Sequence, residues 1–372
     1  MSYSRNGGPD VNGDKLVVGL IGYGYWGPNI LRNYAQCADV DVKWVADRDE
    51  RRLEKAHVAS PGSLVTTEAN DIFADEQVDA VLLATPISTH YPLGKSALLA
   101  GKHVFIEKPL AASVKEAETL VEMAERRGRT LMVGHTFEFS PAVRKIKDIL
   151  DSGELGDIYF IASSRVNLGL HQKDVSVIWD LAPHDFSILF YWLGEEASQI
   201  SSFGRSCVHE CNPDVAFVNM AFPSGTVAEI QLSWLSPVKL RRTMVVGSRK
   251  MLLYDDTESV EKVKIYDHGV NVTVEPGSYG EFQLSYRTGD IVSPRLDTWE
   301  PLLAEAQHFI ESIKTGTPPR TDGLSGLRVV RALERAEQSL MMNRTTVPGS
   351  SEAEWGDFLE IEAPIPAMSG GR

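Results

Sequence analysis

Two short groupings in this chain carry side chains able to move a proton. Glu107-Lys108-Pro109 places a lysine directly after the apolar run at 103–106, beside a carboxylate and held by a proline. Trp179-Asp180-Leu181-Ala182-Pro183-His184-Asp185 sets an imidazole four residues after a carboxylate, a spacing that shares one helix face. Histidine titrates close to neutrality, so it can take and return a proton under working conditions. An ammonium beside a reacting oxygen can stabilise a developing alkoxide. Asp180 is expected to cap a helix over 180–193, with Pro183 tolerated in its first turn. A carboxylate next to the imidazole would raise its pKa and fix its orientation. The plain alternatives are a surface lysine paired with its neighbour and a capping aspartate with a packed histidine. Spacing alone leaves Asp180–His184 open, and Asp185 could equally be the operative acid.

A third motif supplies the setting for such chemistry. Residues 16–21 read as an apolar strand that runs into Gly22-Tyr23-Gly24-Tyr25-Trp26-Gly27, and the next apolar strand ends at Asp47, twenty residues after the last glycine. Gly22 allows the tight turn, Gly24 lets a pyrophosphate approach the backbone, and Gly27 lets helix pack on strand. The helix amides and dipole then face the phosphates, and Asp47 accepts hydrogen bonds from the adenosine ribose. A carboxylate there favours NAD over NADP, while Arg48 keeps NADP open because a guanidinium could accept a 2′-phosphate. Tyr23, Tyr25 and Trp26 lie in the loop, where Trp26 could cover the pyrophosphate or pack under the sheet.

Around the glycine motif the chain alternates strand and helix. Strands are expected at 16–21, 42–46, 79–85, 103–106 and 130–133, with helices at 28–35, 49–57, 92–100 and 116–127. This is the pattern of a doubly wound parallel sheet whose ligands sit at strand carboxyl ends. Gly22, Asp47, Thr85 and Glu107 all fall at such ends and should line one crevice. After residue 139 come a helix near 146–150, a strand at 157–166 and the helix at 180–193. Strands follow at 215–222, 226–234, 240–246 and 251–254, joined by short turns that imply an antiparallel sheet, and late helices at 302–314 and 326–340. The expected fold class is α/β: a Rossmann domain over 15–137, then an α+β domain with an open, mostly antiparallel sheet over 138–348, and a loose tail at 349–372.

Composition narrows the partners. A chain of 372 residues is long enough for two cores, and 43% apolar with 24% charged residues is that of a globular protein. A net charge of −14 argues against nucleic acid or an anionic membrane as partner. Residues 1–14 are polar and resemble no signal peptide, and no apolar run reaches the length of about 20 residues that spans a bilayer. Cys37, Cys207 and Cys211 complete no metal site, so reduced thiols in a cytoplasmic protein with no metal are expected.

The glycine motif, Glu107-Lys108-Pro109 and Asp180-x-x-x-His184, in this order, resemble the Gfo/Idh/MocA family of sugar oxidoreductases. The resemblance runs from about Leu16 to Pro348 and includes Gly134-His135-Thr136-Phe137 and, less specifically, Glu300-Pro301-Leu302. It implies catalytic roles for Lys108, Asp180 and His184, and the sequence permits proton transfer through either His184 or Lys108, with His184 in the second case only binding sugar. With the crevice geometry it also brings Thr85, Pro86 and His90 near the nicotinamide, and it implies a homodimer or homotetramer built on the open sheet. The stretch Trp179–Asp185 further resembles members that act on the sugar C3 position in polysaccharide and nucleotide-sugar biosynthesis. Tyr159, Arg165, His171 and Trp179 are candidate substrate contacts because they precede or flank the catalytic helix. Lys239, Arg241 and Arg242 could hold the diphosphate of a nucleotide-sugar, although charges on a solvated strand look the same. The alternatives are a cyclitol or free-sugar dehydrogenase, an NAD-dependent glycosidase, and a non-catalytic ligand sensor.

Overall fold

The apolar runs of the first third become six parallel strands with helices on both faces. The computed structural model describes residues 15–169, 175–208, 212–273 and 283–343, so His171, Cys211 and the tail lie outside the described residues. In chain order the first layer holds β1 (Leu16–Ile21), α1 (Gly27–Ala35), β2 (Val40–Ala46), α2 (Glu50–Ala59), β3 (Leu64–Thr66), α3 (Ala69–Ala74), β4 (Ala80–Leu83), α4 (Ile87–Leu99), β5 (His103–Glu107), α5 (Val114–Arg127) and β6 (Leu131–Gly134). The sheet order is β3-β2-β1-β4-β5-β6 with every pair parallel. Its order reverses between β1 and β4, and a ligand crevice opens at that point beyond the strand carboxyl ends. β4 is buried along its whole length, which explains an unbroken apolar run in place of alternation.

Local signals set several helix ends. Ser113 caps α5 by accepting from the Glu116 amide, and Gly128, at φ 59°, closes it in the left-handed region. Helix α4 starts at Ile87 directly after Pro86, five residues before its expected start, and carries Pro92 within it. Pro92 forfeits one amide bond, and burial of Gly94, Ala97 and Leu98 offsets that loss.

The second layer holds α6 (Pro141–Asp151), β7 (Ile158–Leu168), α7 (Val177–Leu193), β8 (Gln199–Arg205), β9 (Val215–Ala221), β10 (Val227–Ser233), β11 (Leu235–Gly247), β12 (Met251–Asp255), β13 (Val263–Thr273) and β14 (Gln283–Val292), followed by α8 (Pro301–Thr315) and α9 (Gly323–Met342). Its eight strands run β14-β13-β12-β11-β7-β10-β9-β8, with β7–β10 parallel and the other pairs antiparallel. Helices α6, α7 and α9 bury one face of this sheet. The other face stays open and presents Phe160, Phe203, Phe217, Val227 and Met244.

Asp180 does not cap α7. The helix begins a turn earlier, after an extended Ser176, because Val177 and Ile178 are fully buried in the second core. Tertiary burial overrides the local capping preference here. Helix α8 follows the second sheet in the chain but packs on the first, where Phe309 meets the rings of Tyr34 and Phe105 at 6.5 and 5.9 Å. Helix α9 contributes Leu327 and Val330 to the core on the other side of the first sheet and Val329, Leu333 and Leu340 to the second sheet's core. Phe309→Ala should therefore destabilise the chain by about 3–5 kcal/mol. A urea titration would read this as a lower midpoint at unchanged slope.

Candidate active site

The glycine turn is built from close backbone approaches. Gly22 sits at φ +98°, and a Cβ there would lie 2.5 Å from the Ala84 carbonyl oxygen; a Cβ at Gly27 would lie 2.4 Å from the Gly22 oxygen. A Cβ at Gly24 would meet only the Arg52 guanidinium at 3.6 Å, so the loop is open on that side. No side chain caps the first amides of α1, and free amides at a helix start suit a phosphate. Asp47 accepts from the Tyr23 amide at 2.7 Å and the Asp49 amide at 2.9 Å, which fixes its carboxylate at the end of β2 with lone pairs to spare. These residues fit a dinucleotide. The Tyr23 ring is buried in the first core, Tyr25 is exposed, and Trp26 lines the cavity. The guanidinium beside Asp47 is Arg52, at 3.4 Å, while Arg48 is exposed. Arg52 escaped the sequence reading although it lies one helical turn beyond Asp47.

From Trp26 a cavity of about 950 Å³ runs past Glu107, Lys108, Phe137 and His184 to Arg241 and the segment 293–302. Lys108 leaves the end of β5 and crosses to α7, where its Nζ donates to the Asp180 carbonyl oxygen at 3.1 Å and lies 3.9 Å from the carboxylate. Burial lowers the Lys108 pKa, the Asp180 and Glu107 carboxylates pull it back up, and Arg165 opposes them. Simple pairing with its neighbour Glu107 is not what the ammonium does.

His184 opens on the same cavity, its ring edge-on to Phe137 at 4.9 Å. The expected Asp180–His184 pair does not form. Asp180 instead accepts from the Trp234 indole at 3.0 Å and faces Lys108, while His184 Nδ1 is buried without a partner. The His184 pKa therefore falls well below its ordinary value, first through burial and then through Lys108, Arg165, His135 and Arg241. This reverses the direction expected from spacing. The imidazole is neutral at neutral pH.

Asp185 is not a free acid either. It lies 2.5 Å from Arg165 Nε and 2.9 Å from the Ser163 hydroxyl, with all three side chains buried. Arg165 is thereby held in an ion pair, its guanidinium 4.8 Å from the Phe137 ring centre. Arg241, opposite Arg165 in the sheet, lines the cavity and pairs with Asp256 at 3.3 Å. Arg242 points to the other face and binds Asp255 at 2.8 Å, so strand alternation breaks the proposed basic patch. Trp179 packs between two cores, and Tyr159 is exposed on β7. His90 is buried, with Nδ1 2.8 Å from the Pro109 oxygen and Nε2 2.8 Å from the Thr85 oxygen. It braces the two turns instead of facing the cavity. Thr85 accepts from the Thr89 hydroxyl, and Pro86 is exposed ahead of α4. Among the described residues no group of three metal-ligating side chains occurs, and no helix is long and apolar enough to cross a membrane.

Comparison with known proteins matches residues 16–135 to the oxidoreductase family with an NAD-binding Rossmann fold and residues 143–253 to the GFO/IDH/MocA C-terminal domain. The chain belongs to the Gfo/Idh/MocA oxidoreductase family. UDP-N-acetylglucosamine 3-dehydrogenase of Acidithiobacillus ferrooxidans is 28% identical over 85% of this chain and 95% of its own. Its solved structure superposes with a TM-score of 0.73 at 26% identity, covering 88% of this chain and 98% of that one. Myo-inositol 2-dehydrogenase of Thermotoga maritima is 24% identical over 89% and 98% of the two chains. As a member of this family the protein is an NAD-dependent oxidoreductase of the sugar and cyclitol class.

The two aspartates that flank the cavity should separate in their effects. Asp185→Ala strands the buried Arg165 and should cost about 3–5 kcal/mol of stability. Asp180→Ala, at a carboxylate one quarter exposed, should cost far less in a denaturant titration while still lowering turnover.

Proposed function

We propose that the chain oxidises or reduces one secondary carbon of a sugar at the meeting point of Lys108 and His184. The observation that carries this reading is their convergence, from β5 and α7, on the cavity that begins at the glycine loop. When bound, NAD supplies the hydride acceptor or donor. In the oxidation direction the neutral His184 ring takes the hydroxyl proton. Lys108, as an ammonium, holds the same oxygen and stabilises its developing charge. Asp180 positions Lys108 through its carbonyl oxygen, and its carboxylate keeps the ammonium charged in a dry site. Phe137 packs on the His184 ring and limits its orientations.

The substrate we favour is a nucleotide-linked sugar oxidised at C3. The relative named UDP-N-acetylglucosamine 3-dehydrogenase, matched over nearly its full length, supports it. The extension of the cavity well beyond Lys108 and His184 leaves room for an appended group. The inositol dehydrogenase relative supports a cyclitol as the second reading. A panel of nucleotide-sugars, free sugars and inositols with NAD separates the two. Asp47, with one oxygen bonded to the loop amide of Tyr23, supports NAD as the preferred cofactor.

His184→Ala and Lys108→Ala should each lower turnover by about 10²-fold or more while leaving NADH affinity near that of the parent. At saturating NAD, the acid limb of kcat/KM for the sugar should fall below pH 6.5, because the lowered His184 pKa keeps the base neutral above it. A limb at or above pH 6.5 would remove His184 from the proton-transfer role. We also propose that the open face bearing Phe160, Phe217 and Met244 mates with a second copy to give a dimer or tetramer. Sedimentation should show an assembly that Phe217→Glu dissociates, and a monomeric parent would refute it.

A further inference from the structure

Beneath the cavity, β5, α1, β6 and α8 bring several acids together in a way the proposed chemistry does not use. Glu107 is 6% exposed, lines the cavity, and has its Oε1 buried without a hydrogen-bond partner. Its carboxyl lies directly over Gly134, where a Cβ would stand 3.2 Å from Oε2, so the absence of a side chain at 134 makes the place it occupies. Behind it Glu305 of α8 is 2% exposed, accepts from the Thr136 hydroxyl at 2.9 Å, and leaves its Oε1 unpartnered. The Tyr34 phenol from α1 is buried beside both and has no partner. Two carboxylates in one dry site cannot both be charged. Glu305 is raised well above the usual carboxyl range by burial and then by Glu107 and Glu138, which favours its protonated form. Glu107 is pushed up to about 7 by burial against the pull of Lys108.

Of the other titratable groups packed around Glu107, those beside it keep one charge state near neutrality. His135 on β6 is held neutral by burial and by Lys108, and His184 on α7 is neutral for similar reasons. Tyr34 keeps its proton far above neutral pH. Glu138, in the turn after β6, is raised by burial to about 8 and does titrate in this range, but it answers to Arg320 and Asp322 and does not line the cavity. Lys108 and Glu107 are the groups left to respond to a new charge in the cavity.

We propose that Glu107 is the counter-charge of the oxidised nicotinamide ring, free to take up a proton in the unliganded enzyme and equally so beside the reduced ring, and ionised when the positively charged ring is bound. The role rests on the placement of that ring against Lys108 and His184 proposed above. The balance closes. With NAD bound, the carbinol carbon would lose a hydride to the ring, whose positive charge disappears, and the hydroxyl proton taken by His184 would pass on across the cavity to Glu107, returning the imidazole to its neutral form. The site's net charge is the same before and after, so hydride transfer leaves no uncompensated charge in a medium of low polarity.

The test is proton counting by calorimetry on the full chain, titrating NAD+ and NADH in buffers of different ionisation enthalpy. At pH 7 NAD+ binding should release about half a proton, since a group titrating near 7 is then half protonated. NADH binding should release none. The NAD+ dissociation constant should rise about tenfold from pH 8 to pH 6, because below the free-enzyme pKa a proton must leave for each ring bound. Glu107→Gln should abolish both effects and leave the NADH dissociation constant within about twofold of the parent. Glu305→Gln, which keeps a neutral group of the same shape, should retain them. Lys108→Met should increase the release at pH 7, since the ammonium now holds Glu107 down. Buffer-independent NAD+ binding by the parent chain would overturn the proposal without need of any variant. So would release that survives Glu107→Gln or vanishes in Lys108→Met. No substrate enters these titrations, so their failure leaves the sugar assignment standing, and failure of that assignment leaves the proton count intact.

Discussion

One ammonium holds the two halves of this molecule in register. Lys108 begins where β5 ends, so the first sheet fixes its origin, and its Nζ finishes on the main-chain oxygen of Asp180 in α7, which the second core fixes. A buried lysine tends to shed its proton. The Asp180 carboxylate opposes that loss, joined by Glu107 whenever it is ionised, and both are placed by elements that also shape the cavity. Helices α8 and α9 make this arrangement stiff, since α8 returns to the first core and α9 serves both. The distance between the glycine loop and α7 is therefore tied to packing that the two cores share.

Where local chemistry decides the backbone, the sequence was a sufficient guide. The glycine turn, the acid after β2, the parallel order and the mostly antiparallel second sheet all follow from patterns of period, turn residue and apolar run. The shorter or more exposed elements β3, α3 and β14 carry only weak signals in the sequence. The side-chain partnerships were less legible. A four-residue spacing puts Asp180 and His184 on one face of α7, yet Trp234 from β10–β11 and Lys108 from β5 claim the carboxylate first. Arg165 and Asp185 are twenty residues apart and meet only because β7 lies under α7. Glu305 reaches Thr136 across 169 positions. No periodicity encodes such encounters.

The charges around the cavity explain why these partnerships matter. Lys108, Arg165 and Arg241 all bear on His184 and depress its pKa. A neighbouring carboxylate bonded to its Nδ1 would have worked against them and favoured the imidazolium, which has no lone pair to accept a proton. By giving Asp180 to Trp234 and Lys108, Asp185 to Arg165 and Asp256 to Arg241, the fold neutralises the cations pairwise and leaves the imidazole alone among them. Each guanidinium keeps a face toward the Phe137 ring, on which His184 also packs. The acids thus hold the basic groups in place, and the imidazole is kept unprotonated first by burial and then by the cations around it. A family signature that appears in sequence as a coupled acid and histidine stands in this chain as two separate groups, Asp180 facing the ammonium and His184 packed on Phe137.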